Sequence, residues 1–252
     1  MNVVNYNDSF GWHNRWTEQA ILWYEKASEY TGYHKFIMNY IGELFKPGDS
    51  VCELACGSGS LALEIAPLVT KVTANDLNAD AINHLEKVLR EKKIPNIDPV
   101  LGDWREVCAK EKYDVLIYSY YSAMLNDWDI LKSITRRKVI AILPSEINQK
   151  NIRERETFEQ VKTKLEKLNV YHTAIPVTVD FGQPFDDRNQ AREYLKHYYR
   201  FENGAEMESF IDNKMKTLSM IVDKSQTNDS SDNEGLYFPK IKKIGIIIAD
   251  MR

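Results

Sequence analysis

Only three cysteines, Cys52, Cys56 and Cys108, occur among the 252 residues. An odd number with no CxxC pair argues against a disulfide framework. Cys52 and Cys56 stand four apart, a spacing that a metal site can use. Both fall in or beside an expected buried strand, however, where cysteine serves as a small hydrophobe. Apolar runs are short, and none approaches the ~18–20 residues that a membrane span needs. The first ten residues, MNVVNYNDSF, lack both the basic start and the apolar stretch of a secretory signal, so the expected compartment is the cytoplasm. Charge of one sign is scarce as well. The 33 basic and 37 acidic side chains leave a net charge of −4 and are interspersed. Even the most basic helix-like stretch, 150–168, carries Glu154, Glu156, Glu159 and Glu166, which reads as a solvated face with i,i+4 pairs. A nucleic-acid partner is therefore not expected. His34, His84, His172 and His197 show no ligand spacing. No carboxylate pair beyond the strand ends calls for a metal, so none is expected.

Aromatic residues are abundant near the start. Trp12, Trp16, Trp23 and Tyr24 recur at spacings compatible with helical faces, and a second helix is expected over 34–45, stopped by Pro47-Gly48. The pattern then changes to alternation. A short buried strand at 50–54 leads into Gly57-Ser58-Gly59 and a helix over 60–68. A second strand at 71–74 ends in Asn75-Asp76. The segment 78–92 gathers Ala81, Ile82, Leu85, Val88 and Leu89 on one side of an amphipathic helix. A weak third strand ends at 99–101, a fourth covers 113–118 and a fifth 138–143. Strands alternating with helices predict βαβ units and a parallel sheet with right-handed crossovers. After a helix over 150–168 the chain reads as extended over 170–179 and helical near 187–200 and 205–222. Residues 223–235 are nearly all polar and read as a mobile loop. The strong final strand at 241–249 is expected to lie at a sheet edge.

The informative segment is Val51-Cys52-Glu53-Leu54-Ala55-Cys56-Gly57-Ser58-Gly59. A strand delivers an acid, glycines follow at alternate positions, and a helix begins. Small residues let a ligand lie against the backbone, and the helix start offers unpaired N–H groups. Gly57-Ser58-Gly59-Ser60-Leu61-Ala62 also satisfies the G-x-G-x-x-G/A dinucleotide pattern, and Asp76, at the end of the next strand, suits a ribose in either kind of ligand. Three features separate these readings. Glu53 directly precedes the glycines, where it would repel a pyrophosphate but welcome an amino group. Gly102-Asp103-Trp104 follows the third strand, with a carboxylate that can accept from an adenine amino group and an indole that can cover the base. The fourth strand runs into Ser119-Tyr120-Tyr121, whose ring faces suit a cation such as a sulfonium.

On these residues the sequence resembles the class I, Rossmann-like S-adenosylmethionine-dependent methyltransferases, whose first motif has the form E/D-x-G-x-G-x-G. Here it reads Glu53-x-Ala55-x-Gly57-x-Gly59, with Ala55 in place of the first glycine. The resemblance covers residues 34–145 well and the remainder as topology. It implies an α/β fold with a doubly wound, mostly parallel seven-stranded sheet. An N-terminal helical cap or lid (1–46) would precede the cofactor domain (47–180 and 236–252), and a helical insert with a polar loop (181–235) would come before the last strand. It implies S-adenosylmethionine as cofactor and S-adenosylhomocysteine as product. Glu53, Ala55, Gly57 and Gly59 would flank the methionyl part. Asp76 would hold the ribose hydroxyls, with Leu77 beside the base. Asp103 would face the adenine amino group, next to Trp104, and the backbone around Tyr118 and Ser119 would pass under the methionine end.

Methyl transfer from a sulfonium is an in-line displacement that needs alignment and exclusion of water. A general base is required only when the acceptor must lose a proton. Tyr120 and Tyr121, after the fourth strand, and His13 in the N-terminal segment are the candidates for a base; the tyrosines otherwise form pocket wall and His13 a surface or capping residue. Trp12, His13, Trp16 and Tyr24 either pack on the sheet as a cap or belong to a lid that contacts the acceptor. Phe181, Phe185, Tyr194, Tyr198, Tyr199 and Phe201 form a second candidate wall or a packed helical hairpin. The expected function is methylation of a small molecule. An RNA or protein methyltransferase would call for a basic groove or an appended domain, and the Asn-Pro-Pro-Tyr signature is replaced by Ser119-Tyr120-Tyr121. A non-catalytic S-adenosylmethionine-binding protein and an NAD-dependent oxidoreductase are the other readings. The motifs specify neither the acceptor atom nor whether the chain is a monomer or a dimer.

Overall fold

Five parallel strands in the first 144 residues build most of one sheet: β1 (Ser50–Leu54), β2 (Lys71–Asp76), β3 (Ile97–Leu101), β4 (Tyr113–Ser119) and β5 (Thr135–Pro144). The computed structural model describes residues 16–120, 124–145, 156–217 and 235–251. Two later strands, β6 (His172–Asp180) and β10 (Ile241–Asp250), complete the seven-stranded order β3-β2-β1-β4-β5-β10-β6. β10 runs antiparallel to both of its neighbours. The order reverses between β1 and β4, and a ligand crevice opens outside the C-terminal ends of strands at such a point.

Side-chain alternation explains why helices cover both faces. Val51, Val72, Ile117, Ile142 and Ile246 point to one face, beneath α2 (Tyr33–Ile41), α3 (Ser60–Ile65) and α4 (Ala79–Lys92). Cys52, Leu54, Leu116, Tyr118, Val139 and Ile247 point to the other, beneath α5 (Trp104–Val107), α6 (Trp128–Ile134) and α7 (Phe158–Lys167). The three cysteines are buried free thiols. Leu85, fully buried on α4, illustrates the scale: burying such a side chain contributes about 1.5–3 kcal/mol. Helix starts follow local chemistry. Thr17 caps α1 (Glu18–Thr31), Asn78 caps α4, and Thr157 closes a capping box with Gln160 at α7.

Three expectations need correction. The final strand does not lie at an edge. Ile246 sits between Ile142 of β5 and Ile175 of β6, and the run from Ile244 to Ala249 is buried. A strand apolar on both faces gains most in the middle of a sheet, and the alternating β6 takes the edge instead. The helix expected over 150–168 starts only at Phe158 within the described residues, because the Thr157 box sets its first turn. The helix expected over 205–222 is α9 (Gly204–Lys214), and Lys216–Thr217 leaves it as the short strand β8. β8 pairs with β9 (Leu236–Phe238), which also pairs with β7 (Gln183–Phe185). This small sheet and α8 (Arg188–Tyr198) share a core of Phe185, Ala191, Leu195, Met207 and Ile211, against which Leu236 and Phe238 pack. The polar stretch 223–234 lies outside the described residues.

Candidate functional site

The turn from β1 into α3 works because of its backbone. Ala55, Gly57 and Gly59 all take positive φ, at 56°, 56° and 72°. At Gly59 an added Cβ would come within 2.6 Å of Leu85 on α4, so glycine is required both for conformation and for helix approach. At Gly57 an added Cβ would meet the Trp16 indole at 2.9 Å. Trp16, immediately before α1, therefore lies directly on the glycine loop. Ala55 accepts a left-handed conformation at some steric cost, which accounts for glycine in the motif it replaces.

Glu53 is the most perturbed acid of the site. It is 2% exposed, and one carboxylate oxygen has no hydrogen-bond partner among the described residues. Burial pushes its carboxyl up from 4.5 to about 8. The negative charge of Asp76 adds to the rise, and a hydrogen bond from the Ala62 N–H opposes it. Asp76 ends β2 and reaches back to the loop. Its carboxylate accepts from the Gly57 N–H at 2.8 Å and the Asn78 N–H at 2.9 Å. Each carboxylate oxygen has a second lone pair, so hydroxyls can still be accepted there. Leu77 follows with half of its surface exposed.

At the end of β3, Asp103 caps α5 by accepting from the Arg105 N–H at 2.9 Å, and its side chain remains 39% exposed. Arg105 in turn is anchored to Asp127 at 2.5 Å. The reading of Trp104 as a cover for an adenine is corrected: its indole is 4% exposed and packs with Cys52, Leu54, Cys108 and Tyr113. The single turn of α5 directs this side chain under the sheet, leaving the open surface to Leu77 and Asp103.

The end of β4 supplies the opposite side. The Tyr118 side chain is buried in the lower core, so Tyr118 and Ser119 offer mainly backbone to the crevice. Tyr120 adopts φ +58° and donates its N–H to Ile142 at 2.8 Å. Its hydroxyl lies 3.1 Å from that of Tyr33 on α2, and burial pushes its phenol up to about 12. Tyr24 of α1 meets Trp16 edge-on, with ring centroids 5.1 Å apart, and Phe181 at 5.2 Å. Tyr121, Trp12 and His13 lie outside the described residues.

Sequence reading missed Lys242 at the start of β10. Its ammonium nitrogen sits 3.3 Å from the ring centroid of Phe181, 4.7 Å from that of Tyr33, 5.3 Å from Tyr120 and 5.7 Å from Tyr24. A signal existed in the period-two pattern, because Lys242 falls on the same strand face as the buried Ile244, Ile246 and Ile248. His34 was read as structural or solvent-facing. It is buried beside this group, 2.6 Å from Ser28 and 3.2 Å from the Tyr24 hydroxyl, and burial followed by the Lys242 charge lowers it to about 3. Among the described residues no group of three or more His, Cys, Asp or Glu is placed to hold a metal ion, and no helix is long and apolar enough to cross a membrane.

A buried acid with an open acceptor site, a backbone-lined loop and a second carboxylate at the next strand end form a cradle that fits the amino and ribose groups of an adenosyl amino acid. Residues 51–140 match the family model described as a methyltransferase domain. The probable cobalt-precorrin-6B C(15)-methyltransferase (decarboxylating) of Methanococcus maripaludis is 28% identical over 144 residues, covering 57% of this chain and 75% of the relative. Among solved structures, the precorrin-6y C5,15-methyltransferase of Geobacter metallireducens superposes with a TM-score of 0.52 and 12% identity, over 87% of this chain and 88% of its own. The precorrin 8W decarboxylase of Methanobacterium thermoautotrophicum does so with a TM-score of 0.51 and 14% identity, over 86% and 89%. At such identities the two structures speak for the fold. The domain match identifies residues 51–140 as a methyltransferase domain that uses S-adenosylmethionine.

Proposed function

We propose that the chain methylates a small-molecule acceptor bound at the C-terminal ends of β4 and β5. The observation that carries this reading is the cluster of aromatic rings at that edge. Tyr24 and Tyr33 from the two N-terminal helices, Tyr120 after β4 and Phe181 after β6 converge on one point. Ties between elements hold the cluster together. His84 on α4 lies 2.9 Å from Glu25 on α1, and Lys26 pairs with Asp186 beside the insert at 2.6 Å. Trp23 of α1 stacks edge-on against Tyr194 and His197 of α8. Aromatic ring faces at these strand ends suit a small acceptor better than a nucleic acid, and the relative named for cobalt-precorrin supports that class. In this reading, among the described residues, 16–46 cap the site and 181–217, together with β9, wall it, while the sheet of β1 to β6 and β10 carries the cofactor. The three free thiols suit a reducing cytoplasm.

S-adenosylmethionine supplies an electrophilic methyl group on a sulfonium. Glu53 would pair with its amino group, Asp76 with its ribose, and Leu77 and Asp103 with its adenine, while Gly57, Gly59, Tyr118 and Ser119 present backbone. Tyr120, whose phenol is pushed up to about 12, stays protonated near neutral pH and acts as a hydrogen-bond donor rather than as a base. Alignment and water exclusion then provide the main rate acceleration. Calorimetric titration with S-adenosylhomocysteine, with NADH as comparison, tests the cofactor assignment. Binding of the first alone supports it and opens an acceptor screen with labelled methyl donor. Preference for NADH overturns it.

A further inference from the structure

Asp127 occupies the N-cap position of α6, where an aspartate ordinarily accepts from a backbone N–H of the first turn, yet its side chain makes no capping hydrogen bond. Its carboxylate is directed to Arg105 instead. Oδ1 accepts from Nε at 3.1 Å and Oδ2 from Nη2 at 2.5 Å, a bidentate fork onto a buried carboxylate. The guanidinium also lies over the Trp104 ring, 5.2 Å from its centroid. Both supports are firm. Trp104 is buried in the lower core, and the N–H of Leu125, two residues before Asp127, donates to the Glu156 carboxylate at 2.9 Å. The remaining guanidinium nitrogen, Nη1, lies 3.4 Å from each carboxylate oxygen of Asp103. Oδ1 of Asp103 already accepts the Arg105 N–H at 2.9 Å, so Oδ2 is the oxygen left with only the longer contact among the described residues. An ion pair as exposed as Asp103–Arg105 adds little to stability. Its evident effect is on direction: a long side chain that would otherwise keep its rotamer freedom is fixed at one end and holds Asp103 with the other.

We propose that Arg105, anchored on Asp127, is the positioning residue that aims the Asp103 carboxylate, and that this clamp sets the selectivity of the cofactor site for a 6-amino over a 6-oxo purine. The inference rests on the reading of Asp103 as the partner of the adenine and deepens it. The backbone bond and the Nη1 contact hold Oδ1 inward and present Oδ2 as the acceptor. An adenine amino group can donate to that oxygen, whereas a 6-oxo group in the same place would set its lone pairs against the carboxylate. Fixing the carboxylate beforehand removes its ordering cost from the binding step. Selectivity for the base is then set in part by a residue that does not touch it, tied to the start of α6.

The test measures dissociation constants of S-adenosylhomocysteine and S-inosylhomocysteine for the wild type, Arg105→Met, Asp127→Asn and the double variant. The wild type should favour the adenosyl form by about tenfold or more, because the 6-oxo analogue leaves the carboxylate without its donor. Arg105→Met, a change at a partly exposed position, should reduce that preference about fivefold, as expected when one side chain must be ordered on binding. Asp127→Asn keeps the shape but weakens the fork, and should lower the preference in the same direction. The double variant should lose no more than Arg105→Met alone, since both changes act through one contact. A purely structural role would weaken both ligands equally and leave the ratio unchanged. A preference retained or raised in Arg105→Met, or losses that add in the double variant, would overturn the proposal. Equal binding of the two ligands by the wild type would instead overturn the reading of Asp103, and failure of both to bind would overturn the methyltransferase reading of the site.

Discussion

Replacing Glu53 with glutamine separates the energetics of a buried acid from those of the loop around it. The native state holds this proton up to about pH 8, whereas the unfolded chain releases it near 4.5. Between those values the native protein binds one more proton than the unfolded chain, so stability falls as pH rises, by about 1.4 kcal/mol per pH unit. The contribution is undiminished below 4.5 and is lost progressively up to about pH 8. At pH 7 the penalty reaches roughly 3 kcal/mol as an upper bound, because relaxation and entering water reduce it. Glutamine keeps the shape and cannot ionise. Urea denaturation at pH 5, 6, 7 and 8 should show Glu53→Gln gaining on the wild type at each step, since other titrations are common to both proteins. Saturating S-adenosylhomocysteine should flatten the wild-type slope, because an ammonium beside Glu53 favours the carboxylate. Calorimetry in buffers of different ionisation enthalpy should then record release of close to one proton at pH 7 for the wild type and none for the variant. A stability difference that does not change with pH would refute the argument.

Gly59→Ala places a Cβ at φ +72° and 2.6 Å from Leu85, and should cost about 2–4 kcal/mol in thermal or urea denaturation; a loss under about 1 kcal/mol would show that α4 yields easily. Asp76→Ala should weaken S-adenosylhomocysteine binding by about 1–3 kcal/mol and also lower stability, because the Gly57 and Asn78 N–H groups lose their acceptor. Unchanged affinity in the folded variant would remove Asp76 from the site. Tyr120→Phe breaks the contact with the Tyr33 hydroxyl and should cost about 0.5–1.5 kcal/mol of stability while leaving cofactor affinity nearly intact. Full activity of that variant on the true acceptor would show that the hydroxyl does not touch it.

What could be read from the sequence was local. The strand, glycines and helix of β1 and α3 announce themselves within ten residues, and the boundaries of β1 and the existence of β2, α4 and β4 follow from periods of 2 and 3.6. What escaped depends on distant partners. Strands of two or three residues such as β7, β8 and β9 have no period to detect, and they pair across the whole insert. The place of β10 is set by which strands claim its two edges, which no single segment encodes. The cluster around Lys242 draws on five separate elements, and only the lysine's register with Ile244 and Ile246 hinted at it. Trp104 was misjudged because one turn of helix suffices to direct an indole inward, and its sequence neighbours do not reveal the direction.

The central position of β10 has a consequence for how the molecule comes into being. β6 touches the main sheet only through β10, which follows the whole insert in the chain. During synthesis β1 to β5 can pair as soon as they emerge, whereas β6 must wait unpaired for the strand that will bridge it to β5. The crevice between β1 and β4 thus assembles early, from short-range pairings. The side that brings Phe181 and Lys242 together closes last, after the whole insert has been made. A newly made chain should pass through a stage that can grip a nucleoside but has nowhere to hold its second substrate.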